Sequence, residues 1–257
     1  MTVVLVALVA ALASALTFFS GFGLGTLLLP AFALFYPIEI AVASTAVVHF
    51  LNGLFKLGLV GRHADRRVVL AFGLPAIAAA YVGAKALLRL TDLPPVATYE
   101  LAGRTLDVSA EKLAVGTLLV LFTFAELSPR LSAVNFPPRL LPVGGLLSGF
   151  FGGLSGMQGA LRSAFLIRAG LSKEAFIGSG VVIACLIDIA RLTEYVPSLV
   201  DQRAVIDYPV LAAAVLAAFA GAAVGSRSLK KVTLGAVQGL VGIMLLIVGI
   251  GLIAGVL

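Results

Sequence analysis
A glycine-broken apolar stretch occurs twice in this chain, and it constrains the fold more than any other feature. The first copy runs Gly21-Phe-Gly23-Leu-Gly25-Thr-Leu-Leu-Leu-Pro30-Ala-Phe32-Ala-Leu-Phe35. The second runs Gly152-Gly153-Leu-Ser-Gly156-Met-Gln158-Gly159-Ala-Leu-Arg162-Ser163-Ala-Phe165-Leu166. Phe32 aligns with Phe165 and Pro30 with Ser163. After a shift of two residues, Ser44 meets Ser179 and Lys56 falls on Arg191, and Asp65-Arg-Arg67 then matches Asp201-Gln-Arg203. A chain with equivalent breaks in two halves is built from two copies of one unit.

The medium follows from composition. The chain is 61% hydrophobic and only 12% charged. A soluble domain carries about 25% charged residues. Mean hydropathy is +1.14. The balance of +6 at neutral pH is no sign of nucleic acid, because the basic residues sit in short links between apolar runs, where they set orientation in a membrane. The single cysteine, Cys185, lies inside an apolar run. It allows no intrachain disulfide and suggests no metal site. The apolar start, Thr2 to Ala15, contains an Ala11-Leu-Ala13 imitation of a cleavage site but lacks a basic segment before it. It is expected to be structural.

A membrane-spanning helix needs about 20 apolar residues. The expected segments are 3–20, 24–37, 39–60, 68–90 and 112–128, then 139–156, 158–170, 174–196, 204–225 and 232–256. The expected fold is therefore all-α and integral to the membrane. It is a single polytopic domain over 1–257, with repeat 1 about 1–128 and repeat 2 about 139–257. Each half has five segments, and its first two form a Gly-broken helical hairpin. A small external β-hairpin is expected at 98–109, where residues alternate around Ala102-Gly103-Arg104. It reads as a cap, or else as a lid or homodimer contact.

Loop charge gives the sidedness. Arg62, His63, Arg66 and Arg67 place the link after the third segment in the cytoplasm. So do Arg130 and Arg139 for the central link, and Arg227, Lys230 and Lys231 for 226–231. The links at 91–111 and 195–203 read as external. Equivalent loops 61–67 and 195–203 then lie on opposite faces, so the repeats are inverted. Lys85, Arg89 and Arg168 run against this pattern.

Ionisable groups within apolar spans are costly and mark functional positions. His49, Lys56, Arg162, Asp188 and Arg191 are of this kind. A half-helix start offers unpaired N–H groups and partial positive charge, which suit an anion. Gly23, Gly25, Gly156 and Gly159 stand at the breaks, with Pro30 and Pro142 freeing further backbone groups. The alternative is that the glycines only permit tight helix crossing. Arg162 offers a fork of donors for carboxylate, phosphate or sulfonate oxygens, with Gln158 and Ser163 as neutral contacts. Its other reading is a structural partner for Asp188. His49 shares a stripe with Thr45 and Asn52, and serves either as a structural histidine or in proton relay and binding. Asp188 and Arg191 are three apart, hence an ion pair, or Asp188 carries a proton. Lys56 and Arg191 read as snorkelling to the interface, or as coupling groups. No nucleophile elbow, phosphate loop or metal-ligand spacing is present. The chain is expected to be no enzyme and to need no cofactor.

The two motif copies, the link Asp65-Arg-Arg67, and the ends Gly83-Ala-Lys85 and Gly225-Ser-Arg227 resemble the TauE/SafE family of membrane proteins, over nearly the whole chain. The second copy departs from the family pattern, with Gln158-Gly-Ala-Leu-Arg162-Ser163 in place of a plainer glycine run ending in Pro. The resemblance implies inverted repeats and export of sulfite or organosulfonates. The expected function is a secondary transporter of the bacterial inner membrane, exporting a small sulfur-containing anion by alternating access. Its driving force would be the proton motive force or the anion gradient. Two alternatives are a channel or facilitator for another small solute, and a membrane subunit assisting a sulfur-metabolising enzyme.

Overall fold
The computed structural model describes residues 2–20, 24–101, 103–201, 207–228 and 234–257. Helices dominate it, as the hydropathy requires. The first half holds α1 (Thr2–Ser20), α2 (Leu24–Ala33), α3 (Ile38–Val60), α4 (Arg66–Thr91) and α5 (Ala110–Leu127). A short helix, α6 (Pro129–Ser132), lies in the central link. The second half holds α7 (Leu141–Ser155), α8 (Gly159–Leu166), α9 (Lys173–Asp201), α10 (Tyr208–Ser228) and α11 (Leu234–Ile253). Strands β1 (Ala97–Leu101) and β2 (Arg104–Val108) pair antiparallel, with Leu101 opposite Arg104 across Gly103, whose φ is 76°. This is the expected hairpin. It is tied down by the Tyr99 hydroxyl, which donates to the Ala254 carbonyl at 2.5 Å.

Four stretches are long and apolar enough to cross a membrane: Ile38–His63, Arg66–Thr91, Lys173–Pro197 and Tyr208–Arg227. Large apolar residues such as Leu70, Leu74, Leu216, Val224 and Ile247 point outward. His49, Asn52, Lys56, Arg162, Asp188 and Arg191 are buried. An apolar outside around a polar inside is the arrangement that a lipid solvent selects. The chain is an all-α, multi-pass membrane protein.

The broken elements are too short to cross. α2 has 10 residues and α8 has 8, or about 15 and 12 Å at 1.5 Å per residue, against about 30 Å of hydrocarbon. Each packs back on its predecessor, α2 on α1 and α8 on α7. The second break is made by Gly156, whose φ of 81° ends α7 in a left-handed turn. Gly21 and Gly23 of the first break lie outside the described residues, as do Gln202, Arg203, Lys230 and Lys231 of the expected links. Pro142 frees no backbone group. It sits in the first turn of α7, where its missing N–H costs nothing. The link expected at 195–203 begins late, because α9 continues through Pro197 to Asp201.

The two halves exchange partners. α4 of the first half packs on α7 of the second, and α10 of the second packs on α1 of the first. Small residues bring the backbones together. A Cβ at Gly145, Gly149 or Gly153 of α7 would stand 2.1–2.3 Å from the carbonyl oxygens of Phe72, Ala76 and Ala80, and one at Gly221 would stand 2.1 Å from that of Ala11. Helices α3 and α9, which the sequence repeat pairs, pack on each other, as do α5 and α11. α3 and α9 run antiparallel: His49 meets Asp188, Gly53 meets Cys185, and Val60 meets Gly178. α5 and α11 do likewise, with Gly116 beside Leu252 and Leu127 beside Gly242.

Candidate functional site
The α3–α9 crossing positions the buried charges. α9 projects Asp188 and Arg191 from one face, three residues apart. Arg191 reaches Asp188 Oδ1 through Nε at 2.9 Å and Nη2 at 2.7 Å. Both side chains are fully buried. Arg191 Nη1 also donates to the Gly152 carbonyl at 3.3 Å. That carbonyl lies in the last turn of α7, where a cation is favoured by unpaired C=O groups. Across the crossing, His49 Nδ1 stands 2.6 Å from Asp188 Oδ2. The carboxylate thus holds a guanidinium on one oxygen and an imidazole on the other.

The second break enters through Gln158. Its Nε2 makes a longer 3.4 Å contact to Asp188 Oδ1, and its Oε1 accepts from Arg162 Nη1 at 2.8 Å. Ser148 of α7 donates to the Gln158 carbonyl at 3.0 Å, and Tyr195 of α9 donates to the Gly153 carbonyl. These bonds pin the break to α7 and α9. Arg162 is linked to Asp188 through a neutral amide, not by a direct bond. Lys56 of α3 is buried as well.

The first break meets the second here. A Cβ on Gly25 would stand 3.1 Å from the Gly156 carbonyl oxygen, 3.7 Å from Thr45 Cγ2 and 3.8 Å from His49 Cδ2. Gly25 lies in the first turn of α2, and Gly156 caps the end of α7 three residues before α8, so the start of α2 meets the turn between α7 and α8. Thr45 Oγ1 is buried there and has no hydrogen-bond partner among the described residues. A helical threonine commonly returns such a hydroxyl to its own backbone.

Gly25, Thr45, His49, Gly156, Gln158, Arg162, Asp188 and Arg191 are therefore brought together, with Gly159 opening α8 beside them. Asn52 is not. It accepts from Ser14 of α1 at 3.1 Å, so the Thr45–His49–Asn52 stripe divides between two neighbours. Ser163 is turned away too. It lines a separate cavity of about 560 Å3, with Phe122, Glu126, Leu131, Phe136 and Leu161. Lys56 and Arg191 do not snorkel to an interface, since both are enclosed by protein. Ser148 and Tyr195 were missed in the sequence. Tyr195 stands four residues after Arg191, hence on its face, which was the available signal. Ser148 had none beyond its place on the glycine-rich α7.

One guanidinium pairs directly with the Asp188 carboxylate and a second reaches it through Gln158, where α2 begins and α7 turns into α8. Such a place offers an anion fixed N–H donors and uncompensated positive charge. No curated protein matches the chain. The family described as Sulfite exporter TauE/SafE matches residues 6–252. With that match spanning almost all of its length, this chain belongs to the TauE/SafE sulfite exporter family of membrane transporters.

Proposed function
We propose that this chain exports a small sulfur-containing anion, sulfite or an organosulfonate, across the bacterial inner membrane. The anion binds where the two breaks meet. The observation that carries this reading is the approach of Gly25 to the Gly156 carbonyl, with Arg162 one helical turn beyond the second break. The N–H groups opening α2 and α8 are the backbone donors this reading assigns to the anion. Thr45 Oγ1 supplies a hydroxyl, and Arg162 supplies a planar fork. Asp188 and Arg191 neutralise each other, which leaves Arg162 for the ligand. Transport proceeds by alternating access between two inverted halves. The antiparallel packing of α3 on α9 and of α5 on α11 supports the inversion, and the exchanged pairs α4–α7 and α1–α10 supply surfaces on which one half can rock against the other.

Flux through proteoliposomes containing only this chain tests the reading. Sulfite and methanesulfonate should cross saturably, compete with each other, and lose most of their flux in Arg162→Gln. Equal passage of neutral solutes in wild type and Arg162→Gln would make the protein a facilitator instead. Complete absence of flux would make it an accessory subunit.

A further inference from the structure
The buried His49–Asp188 contact has a consequence for the charge of the transported load. Asp188 forms a buried ion pair with Arg191 through Oδ1, and an ionised carboxylate only accepts. At the 2.6 Å contact, Nδ1 of His49 must then be the donor. The neutral ring keeps its lone pair on Nε2. Nε2 has no protein hydrogen-bond partner among the described residues, and Cδ2, the carbon bonded to it, faces Gly25. The Cδ2 edge of the ring, which borders the basic nitrogen, therefore lies at the meeting point of the breaks.

We infer that His49 takes up one proton on Nε2 when the anion binds, so that anion and proton are carried as one neutral load. This rests on the anion-transport reading above. Without ligand, a proton on His49 adds a third cation to Arg162 and Arg191 around one carboxylate. With an anion at the breaks, that proton gains a counter-charge, and each binding favours the other reciprocally. A neutral load is also indifferent to the membrane potential, worth about 2.3 kcal/mol per charge per 100 mV, so its exit follows the gradients of the anion and the proton. The groups that face His49 are few. α9 brings Asp188 and Arg191, with Cys185 at Gly53, and α8 brings Arg162. α3 itself adds Lys56, two turns on. α2 carries no titratable residue. α10 carries Tyr208 and Arg227 only at its ends, Arg66 and Arg67 follow the last turn of α3, and Glu111 and Lys112 of α5 lie near Glu39 at its start.

Methanesulfonate is the probe, because sulfite itself titrates near neutrality. It is added to purified, weakly buffered protein toward the alkaline end of a pH series. Wild type and His63→Gln should each take up close to one proton per anion bound. Where one proton is taken up per anion, their affinity should fall up to tenfold per pH unit. His49→Gln should bind methanesulfonate with neither proton uptake nor that pH dependence. Should His49→Gln not fold, His63→Gln leaves His49 as the only imidazole, and its ring-nitrogen NMR signals should change from neutral to charged on anion addition. Binding without proton uptake, uptake that persists in folded His49→Gln, or unchanged ring signals would overturn the inference and leave the anion site standing. Failure of methanesulfonate and sulfite to bind at any pH would overturn both.

Discussion
Gly25 of α2 lies against the carbonyl oxygen of Gly156, 131 positions later in the chain, so closely that a Cβ on Gly25 would stand 3.1 Å from that oxygen. The neighbour is backbone and cannot swing aside. Gly156 has its own constraint, a φ of 81°, which costs a residue with a Cβ about 1–2 kcal/mol. Its Cβ would also stand 3.0 Å from Arg191 Nη1. Gly25→Leu and Gly156→Leu should each insert into membranes and lose transport. Flux in proteoliposomes, set against inserted protein, checks this. Wild-type flux in both variants would reduce the glycines to packing elements.

Asp188 and Arg191 show no exposed side-chain surface. Removing one charge of such a pair strands the other and costs about 3–5 kcal/mol. Asp188→Asn should therefore lower the melting temperature sharply, since it strands Arg191 with only the Gly152 carbonyl and a neutral amide. The double variant Asp188→Asn/Arg191→Gln should be milder than Asp188→Asn alone. Thermal unfolding in detergent measures the coupling. Additive losses would show that the pair contributes little.

Sequence patterning reached the helices and stopped short of their rotations. The segment expected at 39–60 is α3 at Ile38–Val60, and that expected at 68–90 is α4 at Arg66–Thr91. Length and hydropathy decide such elements. The Asp188–Arg191 pair was legible because three residues on one helix share a face. The His49–Asp188 contact was not, as 139 residues separate the partners. It depends on how α3 crosses α9, and helices apolar on nearly all sides carry little periodicity to fix that crossing. The same gap hid the turn of Asn52 toward Ser14 and the enclosure of Lys56. α9 ran past its expected end because a proline in a membrane helix need not stop it.

Sidedness follows from α3 and α9. Ala64 lies beside Gly178 near the start of α9. Val200, near the end of α9, is about 33 Å further along at 1.5 Å per residue. The charge of the basic links gives the expectation that Ala64 is cytoplasmic. In a Cys185→Ser background, Ala64→Cys should react with an impermeant thiol reagent only from the cytoplasmic face. Val200→Cys and Glu100→Cys, on β1, should react only from outside. Labelling of Ala64→Cys and Val200→Cys from one face would refute the inverted repeat.

Arg162 makes one side-chain bond among the described residues, to the Gln158 amide oxygen. An amide oxygen leaves its charge uncompensated. An anion at the breaks would supply the missing partner, and a charge-assisted hydrogen bond contributes about 1.5–3 kcal/mol. Arg162→Gln should weaken sulfite and methanesulfonate binding by that amount, roughly tenfold to a hundredfold. Arg162→Lys should recover part of the affinity, since it restores the charge but not the fork. Gln158→Leu removes the tether and should weaken binding less than Arg162→Gln, because the guanidinium is still present. Calorimetric affinities, with folded yield from size exclusion, separate binding from stability. Wild-type affinity in a well-folded Arg162→Gln protein would remove this arginine from the anion site.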